Sequence, residues 1–120
     1  HEKYPDRILS APIARYSLDV EALHTPYIFP SENGLRCDVR EFEFAGLSVS
    51  GLFHFSLSPY SQENLTAARH TCELVKSDCL YLRIDAEHMG VGGDDSWSQS
   101  VHSEFILANR PHRYRLILGS

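Results

Sequence analysis

The sequence contains one methionine, one tryptophan and three cysteines, and each scarcity excludes something. Cys37, Cys72 and Cys79 form an odd, small set, so a disulfide framework does not organise the chain. Free thiols are the expectation, with a single Cys72–Cys79 bridge as the alternative. His70 and Cys72 with Cys79 lack a fourth ligand and match no common zinc spacing. No apolar run approaches the roughly 20 residues that a membrane-spanning helix needs. Basic residues are also in deficit, with Lys+Arg 11 against Asp+Glu 16 and a net charge of −5. That balance leaves nothing to neutralise phosphates and argues against a nucleic-acid partner. No signal-peptide pattern opens the chain. It begins at His1 rather than at Met, so a fragment or a processed chain is expected.

What is present suits a folded domain. The 120 residues are 42% hydrophobic and 22% charged, enough for a core and too apolar for disorder. Short runs with period two dominate. Ala14, Tyr16, Leu18 and Val20 alternate with polar neighbours. Leu47, Val49, Gly51, Phe53, Phe55 and Leu57 make the clearest strand, with Leu52 breaking its polar face. Leu80 to Ala86 and Tyr114 to Leu118 alternate in the same way, and Val101 to Leu107 more weakly. Leu35, Cys37 and Val39 are apolar at odd positions, whereas Phe42 and Phe44 are apolar at even ones. A β-bulge near Arg40–Glu41 keeps both sets on one face. A single helix is predicted over Gln62–Arg69, capped by Ser61, with Glu63 in the first turn and Leu65 and Ala68 inward. Roughly six or seven strands and one helix define an all-β domain of antiparallel sheets. Such sheets must cover an apolar face, either as a small sandwich or as part of a larger one.

The densest polar cluster runs His88-Met89-Gly90-Val91-Gly92-Gly93-Asp94-Asp95-Ser96-Trp97-Ser98. Gly90, Gly92 and Gly93 allow tight turns and close approach. A phosphate cradle is a poor reading, because no Lys or helix follows and Asp94 and Asp95 repel anions. The oxygen donors are too few for a calcium cage. A sugar site suits the composition: carboxylates accept from hydroxyls, and an indole stacks on the CH face of a ring. The alternative is that Trp97 plugs the core while Asp94 and Asp95 cap a turn. Glu32 lies in Pro30-Ser31-Glu32-Asn33-Gly34, where Asn33-Gly34 supplies positive-φ positions for a tight turn.

Three segments together resemble one family. They are Tyr4-Pro5-Asp6-Arg7, then Thr25-Pro26-Tyr27-Ile28-Phe29-Pro30-Ser31-Glu32-Asn33-Gly34-Leu35-Arg36-Cys37, then His88 to Ser98. They are similar, in order and spacing, to the C-terminal domain of the large bacterial β-galactosidases of glycoside hydrolase family two. The resemblance continues to the end of the chain. That domain is more than twice this length, so residues 1–120 resemble its last portion, truncated on the N-terminal side.

The resemblance implies an antiparallel β-sandwich, part of a galactose-mutarotase-like supersandwich. It implies a cytoplasmic enzyme of lactose catabolism, hydrolysing β-D-galactosides with retention through two glutamates. Those glutamates belong to a barrel domain and have no match in Glu32, Asp94 or Asp95, so the segment alone is expected to be inactive. Trp97 is implied as a wall of the active site, a platform for glucose-like acceptors. Gly90, Gly92, Gly93, Asp94 and Asp95 then shape its loop. Magnesium and sodium ions are implied for the whole enzyme through other domains, with a carbonyl site at the Phe29–Pro30 turn left open. The implied partners are a β-galactoside, the remaining domains of the parent and further copies in a homo-oligomer. The other role kept open is a freestanding carbohydrate-binding module or small subunit that complements a separate catalytic chain. Gln99, where relatives often carry Pro, and Phe42, where Leu is common, depart from the family pattern.

Overall fold

The alternation of residues 47–57 needs a sheet around it, and the computed structural model supplies one. It describes residues 3–4, 7–8, 12–25, 34–88 and 101–120. Strand β4, Leu47–Ser58, is the centre of a four-stranded antiparallel sheet. Strand β3, Arg36–Phe44, runs along one of its edges. The other edge is shared: β5, Tyr81–Asp85, pairs with the stretch from His54 to Ser58, and β6, Ile117–Gly119, pairs with Ser48 to Ser50. A separate antiparallel pair is formed by β1, Lys3–Tyr4, and β2, Arg7–Ile8. The fold class is all-β and antiparallel with one short α-helix, consistent with a sandwich.

The alternation decides the core. Val49, Phe53, Phe55 and Leu57 point to one face and are buried, and Leu23 from the 3₁₀ turn Val20–Leu23 packs onto them. Val39, Phe42, Leu82, Ile84 and Leu116 close the rim of this cluster. The Phe42 and Phe55 rings sit 4.6 Å apart at 48°, a tilted pair. Leu52 lies on the other face and is 62% exposed, as its place in the alternation requires.

The phase change in β3 is accommodated at the predicted place, but by the opposite strand. Val39 faces Phe53 and Glu41 faces Ser50, so the extra residue lies in β4, at Gly51–Leu52. Gly51 has φ +147°, and a Cβ there stands 3.0 Å from the Arg115 carbonyl and from Leu116 Cδ2. The positive φ favours glycine here, and the close neighbours leave a Cβ little room. A second irregularity lies between Arg36 and Val39, on β3, where Asp38 has φ +56°. Its amide donates to His54 Nδ1 at 3.1 Å, so the bulged residue keeps a hydrogen bond.

The helix α1 spans Gln62–Ala67 and is capped as expected, with the Asn64 amide donating to Ser61 Oγ at 3.1 Å. Hydrogen bonds from its own amide and from Ser61 hold the Glu63 carboxyl below its ordinary pKa. Leu65 and Ala68 are buried. The helix stops two residues short of Arg69, with Ala68 already extended as its C-cap. Asn64 then ties the return to β5, accepting from the Val75 amide at 2.8 Å and donating to the Glu73 carbonyl at 3.3 Å.

Two predicted strands are absent. Residues 12–19 carry no ladder bonds and are exposed along their whole length, with Ile13 at 81% and Leu18 at 57%. Their alternation selects a face, but no strand of the described residues pairs with them. Residues 101–107 hold one bridge at Val101 and a 3₁₀ turn, Ser103–Phe105, rather than a strand. A hydrogen bond from the Phe105 amide to the His102 carbonyl, 2.9 Å, satisfies the backbone locally in place of a ladder. The last strand is shorter than its alternation, since Tyr114 lies outside β6 and is 62% exposed.

Candidate functional site

The glycine-rich cluster sits in sequence between two described anchors. Strand β5 ends at Asp85 opposite His54, and the chain leaves the sheet there. It comes back to the same edge of β4 at Ile117, opposite Ser50. Departure and return are four residues apart along β4, about 13 Å at the usual strand rise. The intervening excursion thus begins and ends at one place on the sheet, beside the irregularity at Gly51.

The neck of this excursion is polar. Glu87 on the outgoing limb meets His112 on the returning limb, Oε2 to Nδ1, at 2.6 Å. His112 Nε2 lies 2.8 Å from the Ala108 carbonyl oxygen. Both ring nitrogens therefore face oxygen atoms. His88 follows on the outgoing limb and is half-buried. Burial lowers its pKa, Arg83 reinforces the shift and Asp85 opposes it. The imidazole is accordingly biased to its neutral form where the cluster begins.

A second neck lies at the other excursion. Gly34 has φ +77°, and a Cβ on it would stand 2.4 Å from the Leu23 carbonyl oxygen, a clash that no side chain survives. Arg36 donates to the Gly34 carbonyl at 2.7 Å and to the Leu23 carbonyl at 3.4 Å. The positive φ expected for Gly34 is present.

The sequence-derived site residues Gly90, Gly92, Gly93, Asp94, Asp95 and Trp97 lie outside the described residues, as do Phe29–Pro30, Glu32 and Asn33. Two residues that shape the described part of the region, Glu87 and His112, were not singled out as a pair by sequence reasoning. They are far apart in sequence and share no period, so only the return of the chain to β4 brings them together. None of the three cysteines forms a disulfide, and Cys37 is buried while the other two are exposed. Among the described residues no group of three or more His, Cys, Asp or Glu side chains could hold a metal ion. No helix among them is long and apolar enough to cross a membrane.

The fold class defined here is an antiparallel all-β module, and such a fold does not by itself assign a function. The profile of one family, described as beta galactosidase small chain, matches residues 1–118. The chain belongs to that family. It is 61% identical over 118 residues to a beta-galactosidase of Vibrio cholerae serotype O1, covering 98% of this chain and 12% of the relative. It is 58% identical over 119 residues to a beta-galactosidase of Psychromonas ingrahamii, covering 99% of this chain and 12% of that protein. A beta-galactosidase of Aeromonas hydrophila is 49% identical over 118 residues, again with 12% of its length covered. The chain thus spans about an eighth of the length of these relatives.

Proposed function

We propose that this chain is the last portion of the C-terminal sandwich domain of a retaining β-galactosidase of glycoside hydrolase family two. The observation that carries the reading is the unbroken similarity of residues 1–118 to proteins named beta-galactosidase that are some eight times longer. The parent hydrolyses terminal β-D-galactosides such as lactose, through two carboxylates in a barrel domain that this segment does not include. The segment itself is non-catalytic. It forms part of a galactose-mutarotase-like supersandwich, walls the active site and supports assembly with the remaining domains and with further copies of the enzyme.

Trp97 is its contribution to the substrate. The indole stacks on the sugar at the leaving-group side, the glucose of lactose or an acceptor replacing it. Gly90, Gly92 and Gly93 let the chain approach closely, and Asp94 and Asp95 fix the loop. The enzyme's magnesium and sodium ions belong to other domains, and no step runs through this segment's carboxylates. The cytoplasm suits a chain whose cysteines form no disulfide.

The test is Trp97→Ala in the full-length enzyme. Stacking of this kind contributes on the order of 1–2 kcal/mol, so acceptor binding falls about ten-fold. Galactosyl transfer to added glucose drops relative to hydrolysis, while cleavage of an activated aryl galactoside suffers less. An unchanged partition with a collapsed thermal midpoint makes Trp97 a core residue instead.

A second reading has one observation in its favour, the description of the family as a small chain. On that reading the segment belongs to a separate subunit that complements a catalytic chain. Purification of the native enzyme decides between them: one long polypeptide supports the first reading, and two co-purifying chains support the second.

A further inference from the structure

We propose that the apolar face of the sheet continues past the core cluster into an interface, formed by Phe44, Leu47 and Leu118, which another β-layer of the same parent polypeptide covers. The proposal rests on the reading of this chain as a portion of a longer enzyme. It deepens that reading by naming the face on which the rest of the polypeptide sits.

The register defines the face. Directly opposed residues of an antiparallel pair share one side of the sheet, as do residues two apart along a strand. Phe42 opposes Val49, Phe44 opposes Leu47, and Val49 opposes Leu118 across its other edge. These five side chains therefore make one apolar patch across β3, β4 and β6. Its inner members are sheltered, since Val49 is buried in the core cluster and Phe42 packs against it. Its outer members are open: Phe44 and Leu47 are exposed, and Leu118 is 65% exposed. The Phe42 and Phe44 rings, 6.5 Å apart at 28°, join the sheltered part to the open part. Leu23 and Val20 close the cluster from the 3₁₀ turn but leave the three outer side chains uncovered. The other side of the same ladder suits water, because Glu41 opposes Ser50 and Glu43 opposes Ser48. Ile117, opposite Ser50, is the one large apolar residue among these pairs on that side.

Charge and area choose the occupant. The patch holds no ionisable side chain, so its complement is an apolar layer such as the inner face of a second sheet. Three partly exposed side chains offer on the order of a few hundred Å², short of the roughly 800 Å² per partner at which separate molecules associate stably. A layer joined through the chain needs no such area, because its docking is intramolecular. This chain covers 12% of the matched relatives, which leaves ample polypeptide to form the layer.

The experiment places single cysteines in the full-length enzyme and follows their reaction with a maleimide, with peptide mass spectrometry separating each from the native cysteines. Leu118→Cys and Leu47→Cys report on the face. Leu52→Cys is the reference, at a position 62% exposed and outside the patch. Hydrolysis of an aryl galactoside confirms that each variant is folded. The expected result is labelling of Leu118→Cys and Leu47→Cys slowed about ten-fold or more relative to the same variants in urea, with Leu52→Cys labelled near its unfolded rate. Equal slowing at Leu118 and Leu52, or slowing at neither, overturns the assignment of this face while leaving the enzyme reading intact. Protection that vanishes when the oligomer is diluted to monomers overturns it in favour of a second copy. Protection that vanishes when two co-purifying chains are separated overturns it together with the single-polypeptide reading.

Discussion

Residues 14–20 and residues 47–57 carry the same alternation of apolar and polar side chains, and they end in opposite states. The second is the central strand of the sheet, with Phe53 at 1% exposure. The first forms no strand: residues 14–19 are exposed, with Tyr16 at 60%, and only Val20, in the 3₁₀ turn, packs against the core. Among the described residues, Arg15 approaches Glu41 at 3.4 Å in a solvent-exposed contact. The difference is not in the strands themselves. Alternation fixes which side chains share a face, but a strand exists only when another backbone satisfies its amides and carbonyls. β4 has partners on both edges, whereas residues 12–19 have none among the described residues.

The contrast can be broken most directly in its largest member. Phe53→Ala in the 120-residue chain is expected to cost about 3–5 kcal/mol, the range for a buried aromatic, whereas Leu18→Ala costs less than about 0.5 kcal/mol. Urea unfolding of the two variants measures both. Equal losses would mean that residues 12–19 are packed in solution and that the contrast does not hold.

A smaller effect sharpens the account of β4. Gly51→Ala places a Cβ against Arg115 and Leu116 in a backbone conformation that favours glycine, for a cost of about 1–3 kcal/mol. Gly46→Ala has a positive φ but meets nothing within 4 Å, so it is the control for conformational strain alone. If the two variants unfold at the same urea midpoint, the close approach of the last strand to the bulge contributes nothing to stability.

The smallest effect is a pH dependence. The folded pKa of His88 lies below its ordinary value of 6.5, through burial and then Arg83, against Asp85. The unfolded chain therefore binds this proton first. Stability from this group is complete above the unfolded pKa and is lost as pH falls from there through the folded pKa. Replacing His88 by Gln should flatten the fall in thermal midpoint between neutral and mildly acidic pH. A profile identical to that of the parent would remove His88 from the account.

The sequence made some of this legible and left the rest hidden, for physical reasons. The core of β4, the Ser61 cap and the inward Leu65 and Ala68 rest on local periodicity and local hydrogen bonds, which a sequence displays. The bulge was placed correctly along the chain of β3 because a change of phase is visible in one strand. The strand that carries the extra residue was not visible, since that depends on the register between two. The strand expected over 101–107 failed because a 3₁₀ turn satisfies the same backbone groups with nearer partners. Glu87 and His112 could not be paired from sequence at all. The interest of Trp97 came from the resemblance to a family, because the residue pattern alone allowed both a sugar platform and a core plug.

The sharing of one edge of β4 by β5 and β6 also sets an order of events in time. The β3–β4 hairpin closes through the two residues Ala45 and Gly46, and such local pairings form within about 1–10 μs. β6 must find Ser50 across about 70 intervening residues, a pairing that cannot start until a much larger loop has closed. The half-edge from Ser48 to Ser50 therefore stays bare while the rest of the sheet is already formed. In that interval its free amides and carbonyls are the part of the folding chain most open to a wrong partner.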